Sequence, residues 1–142
     1  MGLREAWQRL TGHATPTDLD PDRPDLVVVV SSFDDAEAAS AALARATDWT
    51  PDAPAVLRHH LRLPADRADQ AVAIAAQDGY SPAHTEYRGD TVELALRRVQ
   101  PLDALHCSQE RSRMAGLAQR HDGVALGWDA LQPGGKEIAR PH

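Results

Sequence analysis

The chain has 142 residues, of which 42% are hydrophobic and 25% charged, a composition typical of one globular domain with its own core. Its net charge of −6 argues against a nucleic-acid-binding surface, because such surfaces carry a basic excess. The longest apolar run, Leu26–Val30, is too short to span a membrane. The single Cys107 excludes an internal disulfide and, with no signal-peptide pattern, predicts a cytoplasmic protein.

The N-terminal segment, residues 1–24, is predicted to form a short helix followed by an extended linker. Leu3, Trp7 and Leu10 recur at helical spacing, and three prolines follow before residue 25. A helix this short is marginally stable alone, so we expect it to dock. The helix docks either on its own domain or on a partner protein. In the second case Trp7 would anchor it to the partner.

An α+β domain is predicted over residues 25–131. The β-branched run Leu26–Val30 is typical of a central strand buried on both faces, and an Ala-rich helix is predicted to begin near Asp34. The remaining elements follow in the order strand, helix, strand, strand, helix, strand, which predicts a ferredoxin-like βαββαβ sandwich. The first strand and helix are then N-terminal additions, and residues 132–142 are predicted to be a flexible tail.

Within the sandwich, alternation places His59 and His60 of one strand on opposite faces of the sheet. The strand containing Pro82 is predicted to lie at a sheet edge, because proline lacks the backbone N–H that a central strand donates to its neighbour. A long helix is predicted from Pro101 to Arg120, with a polar middle that packs loosely or is partly exposed.

Seven histidines suggest a metal site, but their spacing does not support one. His59 and His60 face opposite ways, and the sequence contains neither a C-x-x-C nor an H-E-x-x-H motif. Cys107 follows His106 directly, and adjacent helical residues point to different faces, so the two do not form a catalytic pair. We therefore predict a non-enzymatic chain without a metal ion or cofactor.

Residues 57–131 contain a series of short motifs in a fixed order: His59-His60-Leu61, Gly79-Tyr80, Gly89-Asp90, residues 117–123 and Gly127-Trp128-Asp129. In these motifs and their order the chain resembles the RraB-like family, the protein regulators of ribonuclease E activity. The resemblance implies a ferredoxin-like fold and a non-enzymatic protein that inhibits ribonuclease E, or a related RNA-processing enzyme, by protein contact.

The sequence thus favours a cytoplasmic protein-binding regulator that binds neither nucleic acid nor membrane directly. Its candidate interaction surface contains Trp7, His59, His60 and Trp128. An exposed strand edge could also pair two copies into a homodimer. The alternative hypothesis is a small-molecule or metal-binding α+β module that uses the His-bearing strand.

Overall fold

The computed structural model describes residues 18–134, and within them the chain forms an α+β fold with a five-stranded antiparallel sheet. The strands are β1 (Leu26–Ser32), β2 (Pro54–Pro64), β3 (Ser81–Arg88), β4 (Thr91–Pro101) and β5 (Val124–Pro133). The helices are α1 (Ala39–Arg45), α2 (Ala68–Ala76, after a 3-10 turn at Ala65–Arg67) and α3 (Ala104–Arg120). The strand order is β1-β5-β2-β4-β3, and the predicted α+β class is confirmed.

The three helices of the described part pack on one face of the sheet, which we call the helix face. Alternate residues of β2, Leu57 and Leu61 among them, are buried on this face, while Arg58 and Arg62 lie on the opposite, open face. The predicted alternation of this strand is therefore confirmed. Small side chains dominate α1 and α2, and the buried alanines of α2 let it approach the sheet closely.

The prediction that the first strand is central was wrong. β1 is an edge strand that pairs only with β5, and its ladder has an irregularity between Val28 and Val30. Val27 and Val28 are 44% and 49% exposed. A continuous apolar run predicts a strand but does not fix its position, because position depends on which neighbours pair with it.

The first helix begins later than predicted, at Ala39. The Asp34 side chain accepts a hydrogen bond from the backbone N–H of Ala36 at 2.9 Å, so it closes a local turn instead of capping α1. This turn leaves residues 33–38 as a connection between β1 and α1.

The long helix also begins later than predicted, because Pro101 ends β4. Asp103 is its N-cap, and the carboxylate accepts a hydrogen bond from the backbone N–H of His106 at 2.7 Å. Pro64 likewise ends β2 and does not enter the following helix.

The last strand continues past its predicted end to Pro133. Gln132 is buried, and its side chain accepts a hydrogen bond from Thr50 N–H at 2.8 Å. The backbone N–H of Gly134 donates to the carbonyl of Asp25 at 2.9 Å. These contacts fix the end of β5 beside the start of β1.

The described part of the predicted linker contacts the sheet. Asp22 forms an ion pair with Arg97 of β4 at 3.0 Å, and Arg97 also donates to the carbonyl of Pro21 at 3.3 Å. Residues 18–25 are therefore attached to the domain, whereas Trp7 lies outside the described residues.

Candidate functional site

His59 and Trp128 are cross-strand neighbours on the helix face, on β2 and β5. Their residues are only 2% and 1% exposed. Both line a cleft of about 440 Å³ that lies between α3 and the first half of β5. The apolar walls of this cleft are formed by Met114, Ala115, Val124 and Ala125.

The two aromatic rings of the cleft carry unsatisfied polar atoms. His59 Nε2 and Trp128 Nε1 are buried, and neither has a hydrogen-bond partner within residues 18–134. Burial lowers the pKa of His59 to about 4, although the carboxylate of Glu110 opposes this shift. The imidazole is therefore neutral at pH 7 and offers one donor and one acceptor, beside the indole donor.

The mouth of the cleft is held by the loop between β1 and α1. Arg111 of α3, which also lines the cleft, donates hydrogen bonds to the backbone carbonyls of Asp34, at 2.9 Å, and Glu37. Glu37 in turn accepts hydrogen bonds from Arg45 and Ser32, each at 2.7 Å, and these hold its carboxyl pKa at about 2. The guanidinium of Arg111 is thus already used to fix this loop.

An ionic cluster around the buried Glu110 lies behind His59. Glu110 accepts a hydrogen bond from the Tyr80 hydroxyl at 2.6 Å and pairs with Arg98 at 3.2 Å and Arg113 at 3.0 Å. Burial opposes ionisation of Glu110, but the Tyr80 bond and the two arginines hold its pKa below the usual range. The polar middle of the long helix is partly exposed, as predicted, since Ser108 and Gln109 are exposed and only Glu110 is buried. Tyr80 also makes an edge contact with the His59 ring.

His60 lies on the open face, away from His59 and Trp128. Its Nε2 is 3.2 Å from Asp129, which also accepts two hydrogen bonds from Arg58 at 2.7 and 2.8 Å. Burial opposes the charge on Asp129, yet the bonds from His60 and Arg58 lower its pKa. The ring of Phe33 lies 5.2 Å from the His60 ring. The four candidate residues therefore separate into a helix-face pair, His60 on the open face and Trp7 outside the described part.

Sequence reasoning did not single out Glu110, although its position contains a signal. Glu110 falls at helical spacing between Cys107 and Met114, both of which are buried, so its own burial could have been predicted. The pairing of Arg58 with Asp129 has no comparable signal, because it depends on the register between β2 and β5.

The Gly127→Ala variant tests how closely Phe33 packs on the open face. A methyl group at this position would overlap the Phe33 ring and lie 2.7 Å from the Ser32 carbonyl oxygen. We expect urea titration to show a loss of about 2 kcal/mol in the free energy of unfolding.

The matched control for this substitution is Gly116→Ala, within α3. An added methyl group there meets only the flexible end of Arg120, at 3.3 Å. Alanine should stabilise the helix by up to about 1 kcal/mol. Equal effects of the two substitutions would contradict the packing described for Phe33.

Comparisons with known proteins identify no relative. No family model, no curated protein and no solved structure matches the chain significantly. The similarity to the RraB-like family therefore stays a prediction from its motifs.

Searches for a metal site and for a membrane-spanning helix cover the described residues alone. Within residues 18–134, no group of three or more His, Cys, Asp and Glu side chains is arranged to hold a metal ion. In the same range, no helix combines the length and the apolar character that crossing a membrane requires.

Cys107 is buried, and burial raises its thiol pKa to about 12, so it is protonated at neutral pH.

Proposed function

We propose that this chain is a non-enzymatic regulator that binds ribonuclease E, or a related RNA-processing enzyme, and inhibits it by protein contact. The identity of the partner rests on the motif resemblance. A ferredoxin-like arrangement of β2 to β5 is part of this proposal, and the antiparallel order β5-β2-β4-β3 supports it. In that arrangement β1 is an additional strand beside β5.

The observation that carries the proposal is the difference between the two edges of the sheet. Edge strands of monomeric proteins are usually protected by charges or proline. β3 follows this rule, since it contains Pro82, His84, Glu86 and Arg88. The sequence of β1, LVVVVSS, contains neither a charged residue nor a proline, so its outer edge is open to pairing with another strand.

The exposed apolar side chains near β1 strengthen this interpretation. Besides Val27 and Val28, Phe33 at the end of the strand is 56% exposed. A partner segment that extends the sheet would gain backbone hydrogen bonds along β1 and apolar contacts with these side chains. Phe33 also lies beside His60, and aromatic side chains are enriched at the centres of interfaces.

The test measures RNA cleavage by ribonuclease E from the organism that encodes this chain, with the full chain added. We expect dose-dependent inhibition by the native sequence. Val28→Lys should weaken it at least about tenfold, because a lysine at the edge opposes strand addition. The control Leu105→Lys places the same charge at an exposed apolar position on α3 and should inhibit normally.

Three results would contradict the proposal. Absence of binding and inhibition by the native chain would remove the regulatory function. Equal inhibition by Val28→Lys and the native chain would remove β1 as the contact. A homodimer in sedimentation experiments that Val28→Lys converts to a monomer would assign the same edge to self-association.

A further inference from the structure

A groove between α2 and β3 lies at the opposite end of the sheet from β1. We propose that this groove binds the N-terminal segment of the same chain, with the indole ring of Trp7 against its walls. In this arrangement residues 3–10, which are predicted to form a helix, extend the helix layer over β3. Residues 3–10 themselves lie outside the described part of the chain.

The groove lies where β3 continues the helix face. Thr85 and Tyr87 pair across the ladder with Leu94 and Val92, which are buried core residues on that face. Every residue of β3 is nevertheless exposed, and Tyr87 is 59% exposed. Beside β3, the described helices leave a groove of about 380 Å³. The helix face thus has room for one further element at this edge.

The walls of the groove suit an apolar side chain. α2 contributes Val72 and Ala73, and β3 contributes Pro82 and Tyr87. Among the lining residues of the described part, only Asp69 is charged. The volume is within the usual size range of sites for drug-sized ligands, so an indole ring can enter. Amphipathic helices bind grooves of this kind through apolar side chains spaced about one turn apart.

The N-terminal segment carries a matching set of apolar side chains. Leu3, Trp7 and Leu10 recur at helical spacing, so they share one face of the predicted helix. The open face of the sheet suits this stripe less well, because Arg58 and Arg62 lie there in ion pairs. Apolar side chains packed over these charges would remove them from water at a cost in free energy.

The first described residues lead the chain towards this edge of the sheet. Asp25 lies beside the end of β5, whereas Asp22 pairs with Arg97 of β4 at 3.0 Å. Arg97 is in turn the ladder neighbour of Ser81, the first residue of β3. The chain therefore crosses from β5 to β4 and reaches a point one strand spacing, about 5 Å, from β3. Residues 11–21 span up to about 36 Å when extended, which is enough to pass around β3 to the groove.

The experiment records the tryptophan indole signals of the full chain by NMR, and Trp7→Phe assigns the Trp7 signal. We expect nuclear Overhauser effects between the Trp7 ring and the Tyr87 ring, because both lie in the groove. These contacts should persist on about tenfold dilution, since a segment tethered to its own binding site has an effective concentration that does not depend on dilution.

The variant Ala73→Lys separates docking from folding. Ala73 is exposed and lines the groove, so a lysine there should exclude an apolar helix and abolish the contacts between Trp7 and Tyr87. The buried Trp128 reports whether the fold is intact, and its signal should not move. The control Ala44→Lys makes the same change at an exposed position on α1, outside the residues that line the groove, and should keep the contacts.

The proposal is overturned if the Trp7 ring of the native chain shows no contact with Tyr87. It is also overturned if dilution removes the contact, which would assign the groove to a second copy, or if Ala73→Lys and Ala44→Lys keep the contact alike. Failure of the ribonuclease E assay would leave these results unaffected, because that assay tests the β1 edge.

Discussion

Replacing Trp128 by alanine should lower the free energy of unfolding by about 3–5 kcal/mol. The side chain is among the largest fully buried ones of the described residues and belongs to the core cluster that joins α1 to the sheet. Most buried residues of this cluster are alanine, leucine and valine, so repacking should fill only part of the space that alanine would leave. Chemical denaturation followed by circular dichroism measures the change.

The matched control is Trp49→Ala, because Trp49 is only partly buried and packs at the border of the same cluster. Its indole donates a hydrogen bond to the carbonyl of Leu43 at 2.9 Å, so some stability should be lost, but clearly less than at Trp128. A loss below about 1 kcal/mol for Trp128→Ala would place that ring outside the core.

The second large effect is expected for Glu110→Ala, with a loss of about 2–3 kcal/mol at pH 7. The substitution leaves the Tyr80 hydroxyl buried without its acceptor and removes the counter-charge of Arg98 and Arg113. The loss falls at the lower end of the range for buried pairs because both arginines are partly exposed. Urea titration of both proteins measures it.

The pH dependence of this effect has a defined sign. The pKa of Glu110 is lower in the folded than in the unfolded protein, so its contribution is complete above the unfolded value of about 4.3. It is lost as the pH falls through the folded pKa, so the difference in stability between the native and Glu110→Ala proteins should shrink as the solution is made more acidic than the unfolded pKa. A difference that does not shrink at acid pH would show that Glu110 stabilises the fold without its charge.

The control for the charge itself is Glu93→Ala on the open face. Glu93 pairs with Arg62 at 3.1 Å, and both side chains are substantially exposed. Such surface pairs contribute little, so the change should be about 0.5 kcal/mol or less at pH 7. A loss as large as that for Glu110→Ala would mean that burial of the cluster is not the cause.

The sequence predicts those features of the fold that a local pattern determines, such as the face of the sheet on which a side chain lies. Alternation along β2 placed His59 and His60 on opposite faces, and Pro82 predicted an edge strand at β3. The position of β1 could not be predicted in this way, because its seven residues indicate a strand whether they lie in the centre or at an edge.

The candidate sites were less accessible to sequence reasoning, because each joins residues that are distant in the chain. His59 and Trp128 become neighbours only through the register of β2 with β5. Neither His59 Nε2 nor Trp128 Nε1 has a hydrogen-bond partner within residues 18–134, and no local pattern in the sequence signals this. The exposure of Val28 follows likewise from the strand order and not from the local sequence.

Hydrogen exchange of the β1 amides, with and without ribonuclease E, tests the central claim most directly. If a partner strand pairs with β1, a peptide covering residues 26–33 should exchange more slowly in the complex, because edge N–H groups acquire hydrogen bonds. A complex in which this peptide exchanges at the rate of the free protein, while another surface becomes protected, would contradict the account.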